Sequence, residues 1–374
     1  MLEKLHVNGF RTLVDTEIQF DNLTIMIGKN GVGKTSILDV LQLLGNFARG
    51  GVERAFGPPP WSLGWQRTRG IGTVPNVRFT ADVRTLNDQC YRYLLVLTER
   101  SGQPRIEEER LTKTSDQTTI ASYSRHQPPS SGTILYPDEG SANADEITEV
   151  AKVFRSVVSY ELNPALIEQG TDAEHNYISR EGFGVAGFLG NLKDEQPNVF
   201  AKLEGRLKQL RPGTESIDVW ASGKIYWGLR DRGQDRAFPA CHLSWGDRQL
   251  LGLLCVLYGT KSGGTVAIEE IDRGFHHSRY EAVIEVLSEA VYDGLDGLAP
   301  IQIIVTTHSP SFINKLGDRS SEIRLVTRVP GGGTAVRPLE QVLHEKLGSD
   351  EPSASLGEVW EMGLLEEVVE EAMG

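Results

Sequence analysis

The most constraining feature of the sequence is a glycine-rich loop between an apolar run and a helical pattern. Leu23 to Ile27 form a nearly continuous apolar run, as expected of a strand buried on both faces. Ser36 to Leu44 then place apolar residues at helical spacing. Between them, residues 28–35 fit the pattern G-x-x-x-x-G-K-[ST], known as Walker A. A glycine-rich turn that binds nothing is the alternative, but the flanking strand and helix favour a phosphate-binding loop.

Each residue type in this loop has a chemical reason. Glycines let the backbone turn tightly, so that successive N–H groups and the helix N-terminus point at phosphate oxygens. Lys34 is expected to reach the β- and γ-phosphates, and the Thr35 hydroxyl is expected to ligate Mg²⁺. The nucleotide-binding residues predicted in this segment are Gly28, Asn30, Gly31, Gly33, Lys34, Thr35 and Ser36.

A second strand-like run is predicted at 265–271. Its apolar residues after Thr265 lead into two adjacent carboxylates. Two acids at the end of a buried strand are costly unless a cation or hydrogen bonds offset their charge. This placement is typical of a Walker B motif. Glu269 is therefore the candidate metal-site carboxylate, and Glu270 is the candidate base that orients water. The alternative is that both acids only cap the next helix.

A histidine ends a third apolar run, which is predicted as a strand at 301–307. A lone histidine is more often structural than functional. His308, however, comes roughly forty residues after the paired acids, with a helical pattern between the two strands, as in a βαβ unit of a parallel sheet. We therefore expect the His308 imidazole to contact the γ-phosphate or the attacking water.

A fourth motif precedes the apolar helix predicted at 250–258. Residues 243–249 read Leu-Ser-Trp-Gly-Asp-Arg-Gln, which fits L-S-x-G-x-x-Q. Ser244 and Gly246 at a helix N-terminus would form an anion site that faces outward. The alternative is that Ser244 is an ordinary N-cap.

These four motifs, in this order, resemble those of the ABC-type head ATPases. The chain is similar to RecF, to SMC-like heads and most closely to prokaryotic AAA family ATPases related to the ATPase domain of the OLD nuclease. The opening Val7-Asn-Gly-Phe-Arg11 and the segments 274–276 and 356–363 share the resemblance. It implies an α/β fold: a P-loop NTPase head of ABC type with a mixed sheet, an antiparallel N-terminal β lobe and an inserted helical lobe.

The same resemblance implies one composite head built from four segments. Residues 1–137 are predicted to form an N-terminal ATPase lobe with Walker A and antiparallel strands, and 138–240 an inserted helical lobe. Residues 241–330 would complete the ATPase core, and 331–374 would be an acidic C-terminal segment. The lobe's predicted helices, Glu146 to Ser159 and Gln196 to Leu210, are too short for a coiled-coil arm.

The resemblance also implies a homodimer, or a higher oligomer, with ATP and Mg²⁺ sandwiched between two heads. Ser244 and Gly246 of one copy would complete the site that Lys34, Thr35, Glu270 and His308 form in the other. Its catalytic residues would be Glu270, His308 and Lys34, and its metal-site residues Thr35 and Glu269. Further candidates are Arg11 at the nucleotide, Gln66 as the Q-loop glutamine and His276 in the D-loop. Three departures from the family pattern bear on the hydrolysis rate. Trp245 stands where related chains commonly have Asp, Glu269 replaces the commoner Asp, and Ile271 replaces the Pro that usually follows the two acids.

Composition limits the partners, the metal sites and the cellular compartment that we expect for this chain. The chain carries 38 basic and 51 acidic residues, a formal charge of −13, which excludes a broadly basic DNA-binding surface. Its three cysteines are too few and too scattered for a disulfide framework or a zinc site. Neither a signal peptide nor an apolar run long enough to span a membrane is evident, so we expect a cytoplasmic protein without a membrane partner.

Two biological roles remain open. In the first, the chain is the ATPase subunit of a bacterial anti-phage defence or toxin-like system that controls a separate effector, a nuclease or a toxin. Only 66 residues follow His308, without a D-x-D pattern, so a fused Toprim nuclease is not expected. In the second, a RecF-like DNA repair ATPase binds DNA in the ATP state through Arg49, Arg54, Arg67 and Arg69. An ATPase of a membrane transporter is disfavoured, because the opening segment resembles the RecF and OLD side.

Overall fold

The computed structural model describes residues 1–57, 62–68, 76–124, 132–137, 143–317, 319–347 and 356–361. Within these ranges the strands are β1 (Leu2–Asn8), β2 (Thr16–Gln19), β3 (Leu23–Ile27), β4 (Val77–Arg84), β5 (Cys90–Arg100), β6 (Gln103–Lys113), β7 (Thr119–Ser124), β8 (Val158–Tyr160), β9 (Thr214–Ser222), β10 (Lys224–Asp231), β11 (Phe238–Pro239), β12 (Thr265–Ile268), β13 (Gln302–Thr307), β14 (Ile323–Arg328) and β15 (Thr334–Pro338). The helices are α1 (Lys34–Ala55), α2 (Leu63–Gln66), α3 (Ala144–Ser156), α4 (Pro164–Ile167), α5 (Val185–Glu195), α6 (Pro197–Leu210), α7 (Trp245–Gly259), α8 (Tyr280–Tyr292), α9 (Pro310–Asn314), α10 (Leu339–Leu347) and α11 (Leu356–Glu361).

The chain divides into two compact units. Unit 1 takes Met1–Ser159, Gly263–Ala267 and the described residues from Gln302 onward. Unit 2 takes Tyr160–Ser262 and Ile268–Ile301. Both units are therefore discontinuous in sequence.

An antiparallel sheet of unit 1 has the strand order β2-β1-β4-β5-β6-β7. Its strands alternate buried and more exposed residues, because one face of the sheet packs on a core. The side chains of Leu5, Phe79 and Leu95 on this face are fully buried, and Phe47 of α1 belongs to the same core cluster.

The second sheet has the order β15-β14-β3-β13-β12-β8. Strand β3 is parallel to β13 on one side and to β14 on the other, and it is buried along its whole length. A strand between two such neighbours needs apolar side chains on both faces, which explains its sequence. Strand β15 returns antiparallel to β14 at the edge of the sheet.

One buried glutamine joins distant segments of unit 1. Gln302 accepts hydrogen bonds from the Leu2 N–H and the Thr265 hydroxyl, both at 2.9 Å. Its amide donates to the carbonyls of Leu2, at 2.7 Å, and Asp21, at 3.0 Å. Because these partners satisfy its donors and acceptors, the burial of this polar side chain carries little penalty.

A buried carboxylate lies in the antiparallel sheet of unit 1. Glu109 on β6 accepts hydrogen bonds from the hydroxyls of Tyr93 and Thr133, both at 2.6 Å, and from the Ile134 N–H at 3.0 Å. Burial raises the pKa of Glu109 to about 7, even though these neutral donors favour the ionised form. The residue therefore links β6 to residues 132–137 through hydrogen bonds from neutral donors.

Unit 2 centres on α7, whose residues from Asp247 to Tyr258 are all buried. Beside its helices, this unit contains a small antiparallel sheet with the order β11-β10-β9. Trp227 of β10 is almost completely buried and donates its indole N–H to the Ile167 carbonyl at 3.0 Å. A buried tryptophan with a satisfied N–H fixes this sheet within the unit.

The predicted fold class is confirmed, with two local differences. The helix expected to reach Ser159 ends at Ser156, and β8 follows directly, because the β-branched pair Val157 and Val158 favours extended backbone. The region predicted as a helical lobe also contains the sheet β9–β11. The bounds of the four predicted segments stay predictions.

Candidate nucleotide-binding site

The Walker A loop of unit 1 follows β3 and opens α1, as the sequence pattern requires. Gly31 and Gly33 have φ values of 80° and 118°, which lie in the left-handed region that favours glycine. Gly33 is the N-cap of α1. The loop therefore aims the N-terminus of a long helix at its own concave side, where an anion is favoured.

Lys34 lies across this loop. Its Nζ donates to the carbonyls of Gly28, at 2.5 Å, and Lys29, at 3.0 Å, and the residue is buried. Thr35 is exposed in the first turn of α1, and Asn30 is exposed on the loop. The structure thus keeps a cation beside the loop and an exposed threonine in the first turn of the helix.

The loop packs closely against its neighbours in unit 1. A Cβ at Gly28 would overlap the Val326 carbonyl oxygen of β14, and a Cβ at Gly33 would overlap the Thr334 hydroxyl of β15. Both glycines are therefore required by space, and Gly33 also by its backbone conformation. Ser36, inside the first turn, is buried.

The register of the mixed sheet brings His308 to the same sheet edge as the loop. Thr307 pairs with Ile27, so that Gly28 and His308 each follow directly from the ends of neighbouring parallel strands. His308 is exposed. After it, Ser309 caps α9 by accepting the Phe312 N–H at 3.3 Å. In this unit, the predicted Walker A residues and the predicted histidine are brought together.

Arg11 and Gln66, predicted separately, contact each other in unit 1. The Arg11 Nε donates to the Gln66 Oε1 at 2.5 Å, and the Arg11 N–H donates to the Gln66 carbonyl at 2.7 Å. The Arg11 guanidinium also pairs with Asp39 of α1. Arg11 has a φ of 49°, an unfavourable value for a residue with a side chain, which marks this turn as tightly constrained.

In unit 2, the signature motif begins α7. Ser244 is the N-cap, and its hydroxyl accepts the Asp247 N–H at 3.1 Å. A Cβ at Gly246 would lie 3.1 Å from the Gly274 carbonyl, so the first turn of the helix packs on the loop that carries His276. Trp245 between them is 53% exposed.

Two arginines hold the signature turn. The Asp247 carboxylate accepts a hydrogen bond from Arg279 at 2.8 Å and lies 3.3 Å from the Arg211 Nε. Burial opposes ionisation of Asp247, but the hydrogen bond and charge of Arg279, with help from Arg211, outweigh burial and lower its pKa. Asp247 thus joins α7 to Arg279, which follows His276 in the chain.

The paired acids follow β12 in a tight turn of unit 2. The Glu269 N–H donates to the Tyr160 carbonyl at 2.8 Å, and its carboxylate lies 3.5 Å from Arg180. Glu270 has a φ of 48°, and its carboxylate lies 3.6 Å from Arg273. His276 is exposed, with its ring centroid 4.0 Å from that of His277.

Sequence reasoning missed several residues that support these segments. Thr334 and Val326 reach the Walker A loop from strands about 300 residues away, and no local pattern announces such contacts. Asp247 and Arg279 flank residues that the motifs did identify, and their opposite charges are the only signal that could have paired them.

Two kinds of feature are absent from the described ranges. No helix there is both long and apolar enough to cross a membrane. Likewise, the described part of the chain has no group of three or more His, Cys, Asp or Glu side chains that could hold a metal ion.

Comparison with solved structures gives the fold. A crystal structure of an SMC head bound to the C-winged helix domain of ScpA has a TM-score of 0.55 and 14% identity, and it covers 91% of this chain and 99% of that one. The SMC head with an extended coiled coil bound to the C-terminal domain of ScpA derived from Pyrococcus furiosus has a TM-score of 0.49 and 15% identity, and it covers 92% of this chain and 98% of that one. The SMC head domain from Thermotoga maritima has a TM-score of 0.44 and 16% identity, and it covers 90% of this chain and 98% of that one.

Only the first of these similarities carries weight, and at 14% identity it concerns the fold alone. No curated protein matches the chain. The sequence does match one family over residues 23–314, a range that runs from β3 to the end of α9 and includes all four motifs. The chain belongs to this family of AAA ATPases, whose description is "AAA domain, putative AbiEii toxin, Type IV TA system".

Proposed function

We propose that the chain is an ATP-hydrolysing switch whose copies pair around ATP and Mg²⁺. The observation that carries this proposal is the arrangement in unit 1. Three groups lie at one edge of the sheet: a glycine loop with a helix N-terminus, a lysine that lies across this loop, and a histidine that directly follows the neighbouring strand. Such a set of groups fits a triphosphate and the water that attacks it.

The residues of the loop fit the phosphates. The backbone amides and the α1 N-terminus stabilise negative charge, and Lys34 adds a positive charge once its contacts with the loop carbonyls give way to phosphate oxygens. The hydroxyl of Thr35 and the carboxylate of Glu269 are hard oxygen donors, the type that Mg²⁺ prefers. A bound Mg²⁺ would neutralise charge on the phosphates.

Hydrolysis then needs a base and a group near the γ-phosphate. We assign the base to Glu270, which would take a proton as the water oxygen bonds to the γ-phosphorus and the bond to ADP breaks. Its left-handed backbone supports this role, because such strain is often retained at functional sites. His308 would contact the γ-phosphate or the water.

Pairing of two copies completes the proposed site. Ser244 and Gly246 stand at the N-terminus of α7, and Ser244 is exposed. We propose that this turn binds the γ-phosphate held by the other copy, with His276 in the contact between the copies. Arg11, which donates a hydrogen bond to Gln66, would approach the nucleotide.

The biological role that we propose is control of a separate effector in a bacterial anti-phage or toxin-like system, in the cytoplasm where ATP is present. The description of the family as a putative toxin of a type IV system supports this role. The SMC head to which the chain is similar is bound to a domain of another protein, ScpA. Relatedness to the OLD nuclease ATPase domain stays part of the proposal.

A RecF-like DNA-binding role is the second candidate, and the structure weakens its arginine face. The Arg49 guanidinium donates to the carbonyls of Arg155 and Val157, at 2.5 and 2.7 Å, so it serves a structural purpose. Arg54 is exposed and Arg67 is partly exposed, while Arg69 lies outside the described residues.

The proposed switch is tested by two substitutions. Glu270→Gln should bind ATP but hydrolyse it at least about 100-fold more slowly, so that a dimer accumulates. Lys34→Ala should lose at least about tenfold in ATP affinity, because the charged contact of the lysine with the phosphates is lost. Size-exclusion chromatography with ATP and Mg²⁺, together with phosphate release, measures both. A Glu270→Gln protein that stays monomeric and hydrolyses ATP at the parent rate would refute the proposal.

The biological role needs its own experiment. The tagged chain is expressed with the products of its neighbouring genes, with and without ATP, and the proteins that elute are identified. Elution of one defined effector supports the first role. DNA binding that appears only with ATP and falls with salt supports the second.

A further inference from the structure

We propose that Thr334 is a positioning residue, which sets the direction of one phosphate-binding amide of the Walker A loop. This inference rests on the proposed binding of nucleotide by that loop. Thr334 begins β15 and lies 302 positions after Val32, its partner in the loop. No sequence motif includes it.

The backbone of Thr334 is anchored on both sides. Its N–H donates to the Thr12 carbonyl at 2.9 Å, and its carbonyl accepts the Thr16 hydroxyl at 2.8 Å. The residue is 3% exposed and pairs with Arg328 in the β14–β15 hairpin. Its side chain therefore starts from a fixed point and cannot reach solvent.

The Thr334 hydroxyl contacts the loop directly. Its Oγ1 donates to the Val32 carbonyl at 2.7 Å in a buried hydrogen bond. The same oxygen lies 2.8 Å from the Thr12 hydroxyl, which can serve as the donor to it. It also occupies the space where a Cβ of residue 33 would be, so that only glycine fits between the two.

This hydrogen bond controls a peptide plane. In a trans peptide unit the C=O and the N–H point in opposite directions. A donor that holds the Val32 carbonyl toward Thr334 therefore turns the Gly33 N–H away from Thr334. The Gly33 amide belongs to the Walker A segment whose N–H groups bind the α- and β-phosphates. The Gly33 carbonyl is fixed as well, because it accepts the Ile37 N–H of α1 at 3.1 Å.

The consequence is a loop that is formed before nucleotide arrives. Glycine allows the peptide between Val32 and Gly33 to turn, so a contact from outside the loop can select one direction. The hydroxyl of Thr334 selects it from outside the loop. Preorganised amides bind phosphate better than amides that must first reorient, because the ordering cost is already met.

The test is a valine at this position, which keeps the β-branched shape and removes the hydroxyl. We expect Thr334→Val to bind a fluorescent ADP, and ATP, about tenfold more weakly than the parent, a factor equal to ~1.4 kcal/mol. Both nucleotides should lose affinity equally, because both carry α- and β-phosphates. Thr334→Ser keeps the hydroxyl and should bind within about twofold of the parent.

Thr327 provides a matched control in the same hairpin. It is buried on β14, and its hydroxyl has no hydrogen-bond partner in the described part of the chain. Thr327→Val should therefore leave ADP affinity unchanged. Equal losses in the two valine variants would indicate a general effect of the hairpin and overturn the assignment.

Two further outcomes are decisive. Parent-like ADP affinity of Thr334→Val, with Lys34→Ala still defective, would overturn the positioning role and leave the proposed function intact. If the parent itself binds no nucleotide, both fail together. Should Thr334→Val not fold, Thr12→Val removes the neighbouring hydroxyl. It should weaken ADP binding about threefold, an effect of half a hydrogen bond's usual size, and unchanged affinity there would overturn the role.

Discussion

The two units hold their buried carboxylates by opposite means. In unit 1, Glu109 accepts hydrogen bonds from two hydroxyls and an N–H, all of them neutral. In unit 2, Asp247 lies between the guanidinium groups of Arg279 and Arg211. As a result, the pKa of Glu109 is raised to about 7, whereas the pKa of Asp247 is lowered.

The difference shows that burial alone does not decide the charge of a carboxylate. Neutral donors offset only part of the cost of burying a charge, whereas a cation at hydrogen-bond distance reverses it. The same contrast applies to the candidate site segments. The Walker A loop is held by a threonine hydroxyl and close backbone contacts, and the signature turn is held by ion pairs. The two segments should therefore respond differently to pH.

The largest effect is expected for Glu109→Gln. Between pH 4.5 and pH 7 the unfolded chain releases the Glu109 proton and the folded chain keeps it. The free energy of unfolding of unit 1 should therefore fall by about 3 kcal/mol as the pH rises through this window. Glu109→Gln should remove that fall, as measured by urea unfolding at pH 5 and pH 8.

Glu108→Gln is the control for this measurement. Glu108 lies on the same strand, is only partly buried and pairs with Arg110 at 2.7 Å. Its substitution should leave the fall between pH 5 and pH 8 unchanged. If Glu109→Gln also leaves it unchanged, then another group is responsible.

A smaller effect, of the opposite pH dependence, is expected for Asp247→Asn. The amide cannot balance Arg279 and Arg211, so unit 2 should lose about 2 kcal/mol of stability at pH 7. Because the folded pKa is lowered, the contribution of Asp247 is present above the unfolded pKa of about 3.8 and is lost as the pH falls below it. Urea unfolding at pH 7 and pH 3 measures both.

Asp235→Asn, at an exposed position of unit 2, is the matched control and should cost less than about 0.5 kcal/mol. Equal stability of Asp247→Asn and Asp235→Asn at pH 7 would contradict the proposed role of the two arginines.

The smallest effect is expected for Asp82→Asn. Asp82 of β4 forms two hydrogen bonds with Arg92 of β5, at 2.7 and 2.8 Å, but the arginine is 54% exposed. Solvent screens this pair, so we expect a loss below about 1 kcal/mol that shrinks further in 1 M NaCl. Urea unfolding at two salt concentrations checks this. A loss as large as that of Asp247→Asn would show that ion pairing matters more than burial.

Local patterns predicted the parts of the fold that local residues determine. Strand β3 has the predicted bounds Leu23 and Ile27, because a strand buried on both faces shows an apolar run that a loop of glycines ends. The hairpin of β9 and β10 was missed, although Gly223 between the two strands has a φ of 72° and both strands alternate in part.

The candidate site shows the same division. The register of β3 and β13 places Gly28 and His308 directly after the ends of adjacent strands, while the catalytic role of His308 stays a prediction. The supports of the loop could not be predicted, since Val326 and Thr334 carry no motif and reach it only through the folded sheet. Tertiary proximity of this kind is invisible to periodicity.

The position of β3 in its sheet also has a consequence for biosynthesis. Leu23 pairs with Ile303, 280 residues later, and Ile25 pairs with Ile323, later still. While the ribosome makes the chain, the Walker A residues emerge long before both flanking strands do. Strand pairs between such distant residues form slowly, and until they form the apolar strand β3 stays unpaired. A nascent chain should therefore bind nucleotide only after β14 and β15 have left the ribosome, so that synthesis itself delays nucleotide binding.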